Sequence, residues 1–352
     1  MVQSIKGGGG FWNTKIQLSY FLAVLVFLIH IPTFTIYSSD GSIFSDLNTF
    51  VQRFKGTFSQ VAVPLFFMIS GFLFFRSYTK SQYIDKLKRR FKTLLIPYLL
   101  WNLFGMLLSI IATLFLSKYF VSKTPFEFTI SNIFQSIFLY KDNTPFWFIF
   151  DLISFSVISP VIFLLIKNKY IGIISIITIW LLYGFGIQIP ASMFFRSDAI
   201  IYYMLGAFWG YHYFNRFSVI EIKRPFVFFI LILLSNIWLF VFFETESTEL
   251  FLGKCIEVIV LVIYSISLYC LFLRFTDVLP NRPFMKHSFW VYALHMKMGA
   301  ITKFIWVFSP QSFMAIPNFL FTVIVTLVII EYLSKLTCRY CPLLYELLSG
   351  GR

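Results

Sequence analysis

The chain predicts an all-α polytopic membrane protein, about ten transmembrane helices packed in one bundle. Three observations carry that expectation. Hydrophobic residues make up 59% of the 352 and charged residues only 12%, with a mean hydropathy of +0.81, whereas a soluble domain carries about 25% charged residues. Apolar runs recur along the whole length, and roughly 20 such residues cross a bilayer core of about 30 Å as helix. The cations gather in alternate segments between these runs, the pattern left by the preference for positive loops on the cytoplasmic side.

The orienting stretch is 61–98. It opens with a continuous apolar run, Val61 to Phe75, followed by Arg76, Lys80, Lys86, Lys88, Arg89, Arg90 and Lys92 before apolar sequence resumes at Leu94. It reads as a span, a cytoplasmic turn and the start of the next span. Spans are then expected at about 17–36, 57–77, 93–117, 146–166, 170–187, 198–214, 225–243, 253–273, 288–309 and 314–334, with both termini cytoplasmic. In this arrangement 20 of the 29 Lys and Arg residues lie inside and 7 outside, while Lys297 and Lys303 fall within the ninth span.

Residues 1–15, with the Gly7–Gly10 run, read as a flexible leader, and 335–352 as a cytoplasmic tail. The first apolar run lacks a small-residue cleavage site, so it reads as a span and not a removable signal. The longest outer segment, 118–145, contains FEFTISNIFQSIFLY and is expected to lie on the membrane or dip into it. No low-complexity linker separates the spans, so 1–352 reads as a single integral-membrane domain of the inner (plasma) membrane.

Composition also narrows the partners. A net charge of +14 fits nucleic acid in a soluble protein, but here the cations sit in short loops beside spans, so membrane lipids are the expected contact and nucleic acid is not. Cys338 and Cys341 form a CxxC, yet no second Cys or His pair follows to complete a zinc site, and no metal is expected. That pair reads as lying at the membrane edge, and Cys255 and Cys270 as core residues. The 48 Phe residues read as compositional bias before any aromatic binding path.

Ionisable groups within a bilayer are costly and so mark candidate sites. His30 lies in the outer half of FLAVLVFLIHIP, expected as buried among apolar neighbours. A neutral imidazole there is either a satisfied structural group or a general base for a hydroxyl proton. His295 follows Tyr292 by three, on one helical face, where hydrogen bonding is the plainer role and catalysis the other. Asp151, after PFWFIF, is either a buried partner for a Lys or Tyr or a catalytic residue. Lys297 lies on roughly the opposite face from His295. Arg89, Arg90 and Lys92 serve topology in any reading, but a guanidinium fork also grips phosphate, which suits a cytoplasmic nucleotide-bearing donor.

Several segments together resemble a known family. They are the first-span His30, VPLFFMISGFLFF (63–75), RRFKTLLIPYLLW (89–101), PFWFIFDL (145–152), YYMLGAFWG (202–210), VYALH (291–295) and PLLYELLSGGR (342–352). In this order they are similar to the acyltransferase 3 family of integral-membrane O-acyltransferases. The resemblance implies transfer of an acyl group, acetyl above all, from cytoplasmic acyl-CoA to a hydroxyl of a surface polysaccharide or glycolipid. It implies catalysis by the first-span His30 with acyl-CoA as donor substrate; Asp151 and His295 stay as further catalytic candidates, Arg89, Arg90 and Lys92 are expected to hold the donor's phosphates, and no metal is expected. The acyl group would pass a break at Ser70–Gly71, and Trp147 would either offer the sugar a stacking surface or anchor at the bilayer interface.

Two positions depart from the family pattern. The basic residue that members carry eleven places before the His is Ser19 here, beside Tyr20, and the family's Arg-x-x-Arg is Arg89-x-x-Lys92. Two other classes fit the same composition. One is a transporter or flippase for a lipid-linked sugar, although paired broken spans are not evident. The other is a catalytically silent partner of polysaccharide assembly machinery.

Overall fold

The computed structural model describes residues 8–31, 53–116, 126–187, 195–217, 222–242, 250–276, 278, 281–307 and 315–351. Every regular element among them is helical. They form two compact units, Met1–Tyr78 with Val161–Ser334, and Thr79–Pro160 with Lys335–Arg352.

Among the described residues, six helices are long and apolar enough to cross a membrane: Asn13–His30, Arg53–Phe75, Lys80–Phe115, Pro225–Phe242, Phe251–Phe275 and Phe319–Tyr340. Counting Thr144–Val157 with Ser159–Ile166 as one interrupted span makes seven. Each of the ten expected positions holds a helix. The remaining ones fall short by length, as Lys169–Gly184 does, or by polar content, as Ser197–Phe217 and Ser288–Val307 do.

In the first unit, α1 runs from Gly8 to His30, so Gly8–Gly10, expected as flexible, open a helix. It stops there because Pro32 follows Ile31, and the residue before proline is disfavoured in helical geometry. Next, α2 covers Arg53–Phe75 with a turn at Gln60–Val61. The two helices pack together, and α1 also lies along a later helix that carries His295. At its other end α1 is tied down by Thr14, whose hydroxyl bonds that of Thr276, and by Asn13, which accepts from Asn281 Nδ2 at 2.7 Å.

The expected break at Ser70–Gly71 is not there: α2 is continuous through it. The small residue serves a helix contact instead. A Cβ on Gly71 would lie 2.2 Å from the Tyr203 carbonyl oxygen, one on Gly206 1.9 Å from that of Met68, and one on Gly210 2.2 Å from that of Phe72. Three glycines thus let two backbones meet, the close approach that small residues permit in membrane helices.

After α2 come α3 (Tyr83–Arg90), α4 (Ile96–Ile111), α5 (Ile130–Phe138), α6 (Trp147–Val157), α7 (Ser159–Ile166), α8 (Lys169–Gly184), α9 (Ser197–Phe217) and α10 (Pro225–Phe242). The chain continues through α11 (Phe251–Phe275), α12 (Ser288–Val307), α13 (Ala315–Tyr340) and α14 (Pro342–Ser349). The glycine seam therefore joins α2 to α9. Helix α10 pairs with α11 and turns its other side outward, with Phe226 70%, Phe229 57% and Leu234 56% exposed. An apolar surface that bare fits lipid and not water.

The second unit is organised by prolines. Pro97 has no N–H for the Thr93 carbonyl four residues back, and the helix widens into a π-turn over Phe91–Leu95. Gly350, at φ +67°, packs against this place: a Cβ there would lie 2.3 Å from the Thr93 carbonyl oxygen. Pro160 likewise leaves the Ser156 carbonyl without its usual donor; the Ser159 hydroxyl donates to it at 2.9 Å, and helix α6 ends at Val157. Helix α5 is held by α4, as Tyr98 Oη donates to the Phe138 carbonyl at 2.7 Å and Asn102 Nδ2 to that of Ile137 at 3.0 Å. Its Ile130, Phe134 and Phe138 remain exposed on one side. Helix α14, expected as a tail, is fixed by Trp101 Nε1, which donates to the Leu348 carbonyl at 3.0 Å.

Candidate functional site

The first unit brings His30 and His295 together. His30 is the last residue of α1 and His295 lies in α12; their rings stack with centroids 5.2 Å apart and 29° between planes. Phe27, one turn earlier on α1, approaches the same ring at 6.3 Å. His295 is buried, whereas His30 is exposed. That corrects the expectation of a buried His30. The expected first span ran on to residue 36, but the helix ends at His30 and leaves the imidazole at its rim.

His295 is held in one tautomer. Its Nδ1 lies 2.6 Å from the Tyr292 carbonyl, and a carbonyl only accepts, so Nδ1 carries the proton and Nε2 presents a lone pair. That Nε2 is buried and has no hydrogen-bond partner among the described residues. A third group completes the cluster. Lys55, in the first turn of α2, is only 7% exposed, and its Nζ donates to the carbonyl of Ile31. It acts electrostatically on the His30 imidazole. Two imidazoles and a buried ammonium thus meet where α1 ends.

The other predicted residues belong to the second unit. Arg89 and Arg90 close α3, and Lys92 sits in the π-turn that follows. Arg89 and Lys92 are exposed and Arg90 half-buried. Lys92 Nζ lies 3.8 Å from Glu346 Oε1 of α14, with both side chains more than half exposed; such a pair contributes about 0–1 kcal/mol. Asp151 is buried in α6, and Trp147, at the start of that helix, is half-buried. In the first unit, Lys297 is half-buried on α12, and the side chain of Lys303 lies outside the described residues. Cys255 and Cys270 are buried and Cys338 and Cys341 exposed, all as free thiols. No group of three potential metal ligands occurs among the described residues.

A comparison with family models matches residues 20–334 to the acyltransferase 3 family, described as an acyltransferase domain. The chain belongs to that family. The match spans His30, Lys55, Arg89, Arg90, Lys92, Asp151 and His295, but stops short of Ser19 and of PLLYELLSGGR, one of the segments that carried the resemblance. No curated protein and no solved structure matches the chain. The acyltransferase 3 assignment makes this a membrane acyltransferase domain, multi-pass by its apolar helices.

Lys55 is the residue that sequence reasoning missed. It counted as one of the seven outer cations because the RFKG segment lies just ahead of an apolar run. The span was expected to begin at about 57, whereas α2 extends back to Arg53 and takes Lys55 into its first turn.

Proposed function

We propose that the chain is an inner-membrane O-acyltransferase that moves an acyl group, acetyl above all, from cytoplasmic acyl-CoA to a hydroxyl of a surface polysaccharide or glycolipid. It works within a body of ten spans with both termini cytoplasmic. The observation that carries this reading is the exposed His30 stacked on His295 inside the family-matched region. A neutral imidazole at that rim can meet an acceptor hydroxyl, and its stack on a buried ring limits the geometries it samples.

The reaction then runs as follows. The acceptor O–H gives its proton to His30 as the oxygen attacks the thioester carbonyl carbon. The C–S bond breaks, an ester forms, and the departing thiolate takes the proton back from His30 as the thiol of CoA. Arg89, Arg90 and Lys92 hold the phosphates of the donor at the cytoplasmic side. Asp151 is kept as a catalytic candidate of the second unit, and the exposed face of α5 rests on the bilayer surface. Polysaccharide assembly machinery is the natural partner of such an enzyme.

The deciding experiment incubates the purified chain with radiolabelled acetyl-CoA and total cell-surface polysaccharide. General-base help is worth about 10²–10⁴ in rate, so His30→Gln, which keeps a hydrogen-bonding side chain of similar volume, loses transfer by that factor at normal expression. A Gln variant that transfers at the wild-type rate removes His30 from the chemistry. Movement of sugar across the membrane without transfer of label makes the protein a transporter instead.

A further inference from the structure

An ammonium inside a membrane protein is costly to hold unless it is paired or used. Lys55 is only 7% exposed, and among the described residues it forms no ion pair with a carboxylate. Its Nζ donates to the carbonyl of Ile31, the residue next to His30. Capping the end of α1 accounts for that bond, but a cap needs one donor and no full charge, whereas an ammonium offers three N–H groups. Both companions at this place are bases: the imidazole of His30, and the Nε2 lone pair of His295, which has no partner among the described residues. The cluster thus holds proton acceptors and one positive charge with no described anion opposite it.

We propose that Lys55 is a catalytic residue of the acyl transfer, stabilising the negative charge that builds on the acyl carbonyl oxygen. The role rests on the acyltransferase reading. As the acceptor oxygen bonds to the carbonyl carbon, the carbonyl π pair moves onto oxygen, giving an oxyanion, while the hydroxyl proton passes to His30. The ammonium of Lys55 meets that oxyanion with an N–H and a full charge, in surroundings that amplify both. The pair then returns to re-form the carbonyl, the C–S bond breaks, and the thiolate of CoA takes the proton from His30. Lys55 keeps its protons throughout.

The test compares the full chain in lipid nanodiscs with Lys55→Met, Lys55→Gln and Lys55→Arg, using radiolabelled acetyl-CoA and total cell-surface polysaccharide. Removing one oxyanion donor costs about 10²–10³ in kcat, so the Met and Gln variants lose that much. Their KM for acetyl-CoA stays within about twofold, since ground-state binding is untouched. Arg keeps the charge and the donors and restores most of kcat. If the Met variant does not fold, the Gln variant, which retains a donor for Ile31, is judged by the same criteria. The role is overturned by a Met or Gln variant that keeps kcat, by a loss that tracks lost folded protein, or by an equal loss in Lys55→Arg. A wild-type chain that transfers no label overturns the acyltransferase reading and this role with it, a result distinct from an active wild type indifferent to Lys55.

Discussion

The proposed reaction depends on side chains at two helix ends, and their neighbours differ in kind. Arg89, Arg90 and Lys92 leave α3 beside an acid of α14, Glu346, which already approaches Lys92. A phosphate-bearing donor offers these cations more than one exposed carboxylate does, since a charged hydrogen bond contributes about 1.5–3 kcal/mol. Replacing all three with Gln should therefore raise the KM for acetyl-CoA by at least about tenfold while the protein still inserts. Steady-state kinetics on purified protein checks this, and an unchanged KM leaves the cluster a topology signal only. At this scale the sequence was a partial guide. His30 and His295 could be named because a His within an apolar run stands out, and nothing in the spacing said that their rings would touch. Their meeting depends on α1 lying along α12, a contact between residues 265 positions apart. Lys55 went unnoticed because a cation next to a span looks the same whether it faces water or is folded inward.

Helices were the most legible level, since hydropathy alone marks where a chain must satisfy its own backbone bonds. Their interruptions were harder to read. Pro97 and Pro160 are visible in the sequence, but which group takes over a carbonyl that has lost its donor depends on what lies nearby. At Pro160 it is the hydroxyl of Ser159, while at Pro97 the Thr93 carbonyl faces the backbone of Gly350 in a tight contact. The α2–α9 seam leads to a sharp expectation. A methyl group on Gly206 would meet a carbonyl oxygen of the facing backbone at 1.9 Å, and backbone cannot swing aside as a side chain can. Overpacking of this kind costs about 1–3 kcal/mol. Gly206→Ala should lower the unfolding temperature in detergent clearly, whereas Gly186→Ala meets no atom within 4 Å and pays only for its φ of +68°. Equal midpoints for wild type and Gly206→Ala would mean that the two helices can part freely.

For the molecule as a whole, the proposed orientation in the bilayer rests on the partition of cations expected from ten spans, 20 inside against 7 outside. Reporters inserted after residue 85 should therefore signal from the cytoplasm, and those after residue 130 from the other side. Reversed signals would place the Arg89 cluster away from cytoplasmic acyl-CoA and end the donor assignment. All-helical character was legible from composition. The division into two compact units was not, because the second unit draws residues from the middle and from the end of the chain. That last feature bears on how the protein should be handled. The family match ends at residue 334 and invites trimming the chain there. Cutting at that border would strip away Glu346, the Leu348 carbonyl and Gly350, and so lay bare the indole of Trp101 and the proline-widened turn beside Lys92. A similarity border and a folding border differ here by a whole helix, and the segment that looks expendable braces the helix through which the donor is to be held.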